Sequence, residues 1–241
     1  MLLLLAGTRG ARDIAQGLAE SGIPAMASLA GVTRDPAEMA LPVISGGFGG
    51  EGPFRAFLKD KGISAIIDAT HPFAHRISTR TAAVAKDLGL PYVQLLRSAW
   101  VPQQGDQWTE IASENDAAAL IPKGAVVFLA TGRQTLDQFS NLTGRRLICR
   151  QIDPPDGPFP FDNGEFLVGR PPFSEADEIA LFTRLGVDWL VVKNAGGQAS
   201  RSKLDAARAL NIPVAMIRRP PPLDVETVTT PQQALEWART Q

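Results

Sequence analysis

Short apolar runs alternate with amphipathic stretches along the chain. Residues 2–6 are continuously apolar, and glycines at Gly7 and Gly10 precede a stretch with helical spacing at Ile14 and Leu18. Continuous apolar runs of this length are typical of strands that are buried on both faces of a parallel sheet. The opening pattern therefore predicts a strand, a glycine turn and a helix.

The same alternation continues towards the C terminus. In the first part of the chain it predicts strands at 25–30, 42–45, 65–70 and 91–96, and helices at 51–61 and 73–88. In the second part it predicts strands at 125–130, 146–150, 165–168, 188–193 and 213–217, and helices near 134–140 and at 174–185, 200–210 and 231–240. Strands that alternate with helices indicate an α/β fold with mostly parallel sheets covered on both faces.

The alternation is interrupted near 98–105, where Pro102 and Gly105 occur in a stretch without helical or strand periodicity. This interruption predicts two α/β domains, residues 1–98 and 99–241, both of ordinary domain size. A proline-rich stretch at 153–160 lies inside the second domain, and its repeated prolines predict a loop.

Composition narrows the possible partners. The 241 residues include 24 lysines and arginines against 25 aspartates and glutamates, so no overall field attracts nucleic acid or an anionic membrane. The N-terminal apolar run lacks a basic flank and is short, and no other stretch approaches the roughly 20 residues needed to span a bilayer. The single cysteine, Cys149, excludes an intramolecular disulfide framework. We therefore expect a soluble, cytoplasmic protein.

Two glycine-rich segments are candidate ligand sites. Gly7-Thr8-Arg9-Gly10 lies where the first strand meets its helix, and backbone N–H groups at such a turn favour a phosphate. The segment lacks the full dinucleotide fingerprint, and a glycine turn after a strand is also common as plain architecture. The segment from Gly46 through Phe48 to Gly50 contains four glycines, which have no side chains to pack. We favour close approach of a ligand there over a flexible connector.

A third candidate follows the apolar strand at 65–70. Pro72 suits the first position of a helix, which would make Thr70 or His71 its cap. His71 and His75 are four residues apart, the spacing of a metal-binding pair on a helix. Because Pro72 puts His71 outside the regular helix and no third ligand is evident, we expect no metal site.

Basic residues follow several predicted strands. They are Arg97, Arg133 and Lys193, and Lys203 lies in the opening turn of a later helix. Any one of them is compatible with a solvated strand end or with a partner for a helix dipole. Together they predict a cleft for a substrate with several negative charges, because arginine binds carboxylates in a fork.

An ordered set of segments makes the chain resemble the precorrin-6A reductases of cobalamin (vitamin B12) biosynthesis. The segments are Gly7-Thr8, 28–31, 46–50, 68–74, 130–133, 193–197 with Lys203, and 212–214 leading to Arg219-Pro220. The resemblance covers nearly the whole chain. It implies two Rossmann-like domains with a ligand cleft between them, 1–98 binding NADPH and 99–241 binding substrate. The implied reaction reduces one carbon–carbon double bond of precorrin-6A to give precorrin-6B.

The resemblance also implies roles for individual residues and requires no protein-bound metal. The family often has an arginine for the 2′-phosphate of NADPH where this chain has Val32, and Arg34 is the nearby substitute. His71 is the candidate proton donor, with water or a substrate carboxylate as alternatives. The implied cofactor-binding residues are Gly7, Thr8, Arg9, Arg34, Gly46, Gly47, Phe48, Gly49 and Thr70. The implied substrate-binding residues are Arg97, Arg133, Lys193 and Lys203.

Three alternatives stay open at this level. A related enzyme of the anaerobic pathway carries out the same reduction on a cobalt-containing intermediate. A different NADPH-dependent reductase or epimerase would use the same scaffold, since a fold does not fix a function. A non-catalytic tetrapyrrole-binding protein would use the same basic residues. The sequence does not decide the oligomeric state, and a monomer is compatible with it.

Overall fold

A computed structural model describes residues 1–31 and 38–241. The chain forms two compact units, Met1–Ser98 with Pro220–Gln241, and Ala99–Arg219. Each unit contains one six-stranded sheet, and the strand pairs in both sheets are parallel. The predicted α/β class is confirmed.

The elements are numbered in chain order through both units. The strands are β1 (Leu2–Leu5), β2 (Ala25–Leu29), β3 (Val43–Ser45), β4 (Ala65–Asp68), β5 (Tyr92–Leu95), β6 (Trp108–Ile111), β7 (Val126–Leu129), β8 (Arg146–Gln151), β9 (Gly164–Val168), β10 (Trp189–Lys193), β11 (Val214–Ile217) and β12 (Thr227–Val228). The α-helices are α1 (Arg9–Glu20), α2 (Glu51–Asp60), α3 (His75–Asp87), α4 (Ala117–Leu120), α5 (Glu175–Leu185), α6 (Ser202–Ala209) and α7 (Pro231–Ala238). Short 3₁₀ segments lie at Glu114–Asp116, Arg133–Phe139 and Gln198–Ser200.

The first sheet has the strand order β3-β2-β1-β4-β5-β12. The order reverses between β1 and β4, which pair directly, with Leu5 opposite Asp68. In open parallel sheets, ligands bind beyond the carboxyl ends of the strands at such a reversal. The loops that follow β1 and β4 therefore form the candidate ligand edge of this unit.

Helices cover both faces of the first sheet. Leu2 and Leu4 of β1 pack in one buried cluster with residues of α1 and α7, including Ile14 and Ala234. Leu3 and Leu5 face the other way and pack in a second cluster that includes Phe54 of α2. All four residues of β1 are buried. Burial on both faces is why this strand is a continuous apolar run in the sequence.

The C-terminal segment corrects the predicted domain limits. Residues 220–241 were assigned to the second domain, 99–241, but they belong to the first unit. β12 pairs with β5 through Thr227 opposite Gln94 and Val228 opposite Leu95, which completes the edge of the first sheet. α7 adds Ala234 and Ala238 to the buried cluster on α1. The segment returns because this face of the sheet needs a second helix to cover its apolar surface.

The second sheet has the strand order β6-β11-β10-β7-β8-β9. Its order reverses between β7 and β10, which pair with Val191 opposite Leu129. Phe128, Phe182 and Leu204 belong to the buried cluster that joins this sheet to α5 and α6. The predicted helix near 134–140 is instead a 3₁₀ segment with a non-helical residue at Thr135.

No helix within 1–31 and 38–241 combines the length and the apolar character needed to cross a bilayer. The Arg34 prediction lies outside the described residues.

Gly17 of α1 tests the docking of α7. A Cβ atom at Gly17 would lie 2.4 Å from Cδ1 of Leu235, so Gly17→Ala should displace Leu235 from α1. We expect a loss of about 1–2 kcal/mol in the free energy of unfolding, measured by urea denaturation. Gly52→Ala is the matched control, because Gly52 is exposed on α2 with no atom near its Cβ position. It should gain up to about 1 kcal/mol from helix propensity. Equal stability of the two variants would contradict this packing.

Candidate functional site

The loop between β1 and α1 opens the ligand edge of the first unit. Gly7 has φ of +132°, a conformation that side chains rarely adopt, and no atom lies within 4 Å of the position of a Cβ there. Gly10 is buried, and a Cβ there would lie 2.9 Å from Cδ2 of Leu95. The two glycines thus allow close approach of a ligand and close packing of helix on strand, two of the glycine roles in dinucleotide-binding turns.

Thr8 joins this loop to the loop after β4. Its Oγ1 atom donates a hydrogen bond to the carbonyl oxygen of Ala69 at 2.8 Å. The same oxygen accepts from the backbone N–H of Ala11 at 3.2 Å and caps α1. The only proton of the hydroxyl is therefore committed within the protein. The first turn of α1 contains no acidic residue, so no carboxylate of that turn offsets the positive end of the helix dipole.

A buried carboxylate orders the loop after β4. Asp68 is fully buried, and its Oδ1 atom accepts from the backbone N–H of Thr70 at 3.0 Å and from Oγ1 of Thr70 at 2.7 Å. Its Oδ2 atom accepts from the Tyr92 hydroxyl at 2.8 Å. The Oγ atom of Ser78 lies 3.3 Å from Oγ1 of Thr70. Because the Thr70 proton goes to Asp68, Ser78 must be the donor in that contact.

Tyr92 stays protonated in this network. Burial raises the pKa of Tyr92 well above its usual range, and the neighbouring Asp68 carboxylate raises it further. Sequence reasoning included Asp68 in a motif but gave it no role, and it missed Tyr92. The usable signal was an acidic residue at the end of an otherwise apolar strand, because a charge is buried there only when other groups satisfy it.

Pro72 does not begin a helix, which corrects the prediction of a helix from residue 73. The carbonyl oxygen of His71 accepts from the N–H of Ala74 at 2.7 Å, so residues 71–74 form a turn with proline at its second position. α3 begins at His75, with Ala74 as its N-cap. His71 is exposed, and its Nδ1 atom accepts from the N–H of Phe73 at 3.3 Å. Neutral His71 therefore carries its ring proton on Nε2.

The second glycine segment follows β3 at the same edge. Gly46 donates its N–H to the carbonyl oxygen of Leu29 at 3.0 Å, and its φ is +105°. Gly46 and Gly47 have no atom within 4 Å of a Cβ position. Phe48 instead turns towards α2, where its ring packs 4.6 Å from the ring of Phe54. This arrangement leaves backbone exposed at the edge and anchors the segment through one aromatic side chain.

In the second unit, Lys193 ends β10 and is mostly buried. Its Nζ atom lies 3.2 Å from Oε1 of Glu114, and the two side chains are 13% and 8% exposed. It also donates to Oγ1 of Thr135 at 3.0 Å. Arg133, which follows β7, pairs with Asp156 at 3.0 Å on the surface. Lys193 and Arg133, two of the four predicted substrate-binding cations, thus have partners within their own unit.

Lys203 lies near a second buried ion pair. The Arg150 guanidinium donates to both oxygens of Glu178 at 2.7 and 2.8 Å, and these side chains are 9% and 1% exposed. The pKa of Lys203 is lowered to about 8, mainly by burial and also by the charge of Arg150, and the charge of Glu178 opposes both effects. The Lys203 ammonium lies 5.8 Å from the centre of the Trp100 ring.

Asn194 holds Trp100 in place. Its Oδ1 accepts from the N–H of Trp100 at 2.9 Å, and its Nδ2 donates to the carbonyl oxygen of Trp100 at 3.0 Å. The indole N–H of Trp100 donates to the carbonyl oxygen of Gly197 at 2.8 Å. Arg97, the remaining predicted substrate-binding residue, lies in the first unit after β5. Burial lowers the pKa of Arg97.

Two surface grooves lie away from these residues. Volumes of about 510 Å³ and 400 Å³ open at the amino ends of β8 and β9, with Gly144 and Asn163 lining both. These amino ends lie at the end of the sheet opposite to the carboxyl ends of the strands, where open α/β sheets bind ligands. In 1–31 and 38–241, no three His, Cys, Asp or Glu residues are grouped so that they could hold a metal ion. The ligand edges described above therefore remain the candidate site.

Two doubly wound parallel sheets, with a glycine loop at the strand reversal of the first, define a Rossmann-like α/β protein with a dinucleotide-type edge. The family model described as precorrin-6x reductase CbiJ/CobK matches residues 1–239. The chain belongs to this family of reductases, which confirms the resemblance inferred from its sequence motifs.

Individual relatives agree with the family assignment. A precorrin-6A reductase of Rhodococcus erythropolis is 44% identical, with 99% of this chain and 97% of that protein covered. A cobalt-precorrin-6A reductase of Priestia megaterium is 28% identical, with 91% of each covered. A solved structure of CobK precorrin-6A reductase superposes with a TM-score of 0.95 at 36% identity, covering 99% of this chain and 96% of the other.

Thr8 tests the link between the two loops. Thr8→Val keeps the shape of the side chain but removes both hydrogen bonds of the hydroxyl, so we expect a loss of about 2 kcal/mol in the free energy of unfolding. Thr8→Ser retains the hydroxyl and should stay within about 0.5 kcal/mol of the parent protein. Urea denaturation gives the free energies, and hydrogen exchange at the Ala11 amide reports the cap. A Thr8→Val variant as stable as Thr8→Ser would contradict the link.

Proposed function

We propose that the protein uses NADPH to reduce one carbon–carbon double bond of precorrin-6A, giving precorrin-6B. The observation that carries this proposal is the first loop, where Gly7 leaves backbone open beside the start of α1 at the strand reversal. Membership of a reductase family supplies the reaction class. We further propose that the enzyme works in the cytoplasm, which suits its one cysteine, the buried Cys149.

The residues of the first unit fit a dinucleotide. The open positions at Gly7, Gly46 and Gly47 leave room for a ligand against the backbone. Backbone N–H groups at the start of α1, with Arg9 beside them, suit the pyrophosphate. In this proposal Gly46, Gly47 and Gly49 line the cofactor, and Phe48 acts by anchoring their segment to α2. Arg34 keeps its proposed role towards the 2′-phosphate.

The hydroxyl protons of Thr8 and Thr70 each have a fixed acceptor within the protein. Thr8 gives its proton to Ala69 and Thr70 gives its proton to Asp68, so neither is a donor to phosphate. Phosphate binding then falls to backbone amides and to Arg9. Thr70 can still accept a hydrogen bond, which suits the amide NH₂ of a nicotinamide. Its position after β4 supports this role, because the adenosine half of a dinucleotide lies towards β2 and the other half towards β4.

When bound, NADPH supplies the hydride. The protein orients the ligands and excludes water from the reacting carbons. Reduction of a double bond also needs a proton at the neighbouring carbon, and we propose that the imidazolium form of His71 donates it from Nε2 and becomes a neutral imidazole. The imidazolium must form first, because a neutral imidazole is too weak an acid to protonate carbon, and its second proton replaces the hydrogen bond from the Phe73 N–H to Nδ1. His71 is exposed at the same edge as Thr70, where it can reach a ligand.

The second unit is proposed to bind the macrocycle, whose acetate and propionate groups are carboxylates. Lys203 and Arg133 are the best candidates, because neither is locked in a buried ion pair. The ammonium of Lys193 is shared with Glu114, which weakens its attraction for a substrate carboxylate. Arg97 contributes from the first unit. Trp100, held by Asn194, offers an aromatic surface beside Lys203.

The metal-free substrate is favoured over its cobalt-containing counterpart. Relatives named precorrin-6A reductase are 39% to 44% identical to this chain, and those named cobalt-precorrin-6A reductase are 28% identical. The difference supports precorrin-6A as the substrate.

Anaerobic turnover tests the proposal directly. Purified protein is incubated with precorrin-6A and NADPH while cofactor absorbance and macrocycle mass are followed together. We expect the macrocycle to gain two hydrogens for each NADPH oxidised. Tight macrocycle binding without turnover would overturn the reductase assignment in favour of a carrier, and turnover of only the cobalt-containing substrate would reverse the choice of substrate.

Lys203 gives the proposed site a pH dependence. With a pKa of about 8, its ammonium form prevails below pH 8 and its neutral amine above. Because kcat/KM reports free-enzyme ionisations, kcat/KM for precorrin-6A should fall as the pH rises through 8. Lys203→Met should have a lower kcat/KM without this fall, and Lys203→Arg should keep its charge throughout. The same fall in Lys203→Met would remove Lys203 from the site.

A further inference from the structure

Three buried polar atoms at one edge of the second sheet have no hydrogen-bond partner. They are Oγ1 of Thr131 and both side-chain polar atoms of Gln151, Nε2 and Oε1. Gln151 is 6% exposed, so water reaches it poorly. A buried polar group without a partner destabilises the folded state, because it has lost its hydrogen bonds to water without replacing them. Such a concentration at one edge points to a partner that occupies the site when the protein works.

The strand register puts these residues side by side. Leu129 of β7 lies opposite Cys149 of β8 and opposite Val191 of β10. Two residues further along, Thr131 falls between Gln151 and Lys193. The backbone bond from the Ala130 N–H to the carbonyl oxygen of Val191, at 2.9 Å, carries the pairing past the end of β7. The three residues thus form a polar row at the carboxyl ends of adjacent strands.

Alternation along the strands puts the polar row on one face of the sheet. Arg150 of β8 points towards α5, where it pairs with Glu178, so its neighbour Gln151 points to the opposite face. Val192 of β10 packs in the cluster with α5 and α6, so Lys193 also points to that opposite face. The row is therefore separate from the buried pair beside Lys203. It lies at the strand reversal of the second sheet, where open α/β sheets bind ligands.

The charged groups near the row are matched in pairs. Glu114 pairs with Lys193 at 3.2 Å, Asp156 with Arg133 at 3.0 Å, and Asp153 with Arg170 at 3.6 Å. What the row adds is neutral hydrogen-bonding capacity: an amide with two N–H donors and one acceptor, and a hydroxyl. The N–H groups of Gln151 and the O–H of Thr131 suit the two oxygens of a carboxylate, with the Lys193 ammonium nearby in the same row. The amide oxygen of Gln151 remains for a water that accompanies the carboxylate.

We propose that Gln151 and Thr131 form a subsite for one carboxylate of the macrocycle, and that they determine specificity for the position of that side chain. This inference rests on the proposed function for the identity of the ligand. It adds two uncharged residues to a site that sequence reasoning built from cations alone. It also gives a reason for the missing hydrogen bonds, because groups that bind a substrate lack those partners in its absence.

Removing the polar atoms separates a binding role from a structural one. Gln151→Met and Thr131→Val keep the approximate size of each side chain. If a substrate carboxylate is the partner, each variant should raise KM for precorrin-6A by about tenfold, as expected for one lost hydrogen bond to a charged group. The Kd for NADPH should not change. The Tm of the ligand-free protein should stay constant or rise, because an unsatisfied buried group has been removed.

Thr81→Val is the matched control. Thr81 is fully buried on α3 in the first unit, and its Oγ1 also lacks a partner. It has no place in the proposed binding machinery, so its substitution should leave KM for precorrin-6A unchanged.

Three results would overturn the proposal. A lower Tm with an unchanged KM would identify an internal water as the only partner. An unchanged KM with an unchanged or higher Tm would show that the atoms bind nothing that affects catalysis. A parallel loss of NADPH affinity would indicate a general structural defect.

Failure of the proposed reductase function can be distinguished from failure of the proposed subsite. If the parent protein shows no turnover, equilibrium binding of precorrin-6A, followed by its absorbance, still tests the subsite. Weaker binding to Gln151→Met than to Thr81→Val would support it, and equal binding would overturn it.

Discussion

The hydroxyl of Thr8 is the interaction on which the ligand edge of the first unit depends. It ends the loop after β1, caps α1 and bonds to the backbone that follows β4. The two loops flank the strand reversal, so one side chain fixes the distance between the start of α1 and the segment that carries Thr70. Gly7 can then remain open towards a ligand, because the loop does not need a side chain of its own at that position to hold its shape.

Asp68 extends the same constraint further along the edge. A buried carboxylate is stable only when donors surround it, and here Thr70 and Tyr92 supply them. The arrangement fixes the direction of the Thr70 hydroxyl proton as well as the position of its oxygen. The edge therefore presents backbone donors at α1 and a side-chain acceptor after β4, which are the two groups that the proposed binding of a dinucleotide uses.

Within the described residues, the sequence predicted every interior strand of the two sheets and two of the four edge strands, β3 and β9. β1 and β4 were found to within two residues, because strands buried on both faces are continuously apolar. β6 and β12 were missed, because edge strands such as Trp108–Ile111 mix polar and apolar residues and lack that signal. The return of residues 220–241 to the first unit was missed for the same reason, since a strand of two residues carries no readable period.

Some features of the candidate site could likewise be predicted from the sequence and others could not. Its glycines could be named from sequence, because each marks a backbone conformation or a close approach that other residues do not allow. The pairing of Lys193 with Glu114 could not, because the partners are distant in sequence and only the fold brings them together.

The two sheets have related strand orders but differ at their ligand edges. The edge of the first unit is built from glycines and hydroxyl groups that are satisfied within the protein. The corresponding edge of the second unit combines matched ion pairs with the unsatisfied atoms of Thr131 and Gln151. The satisfied edge can keep one geometry with or without a ligand. Unsatisfied groups carry a cost in stability that only a bound partner removes, so the second edge gives up stability in the free protein and gains selectivity for the group that fills it.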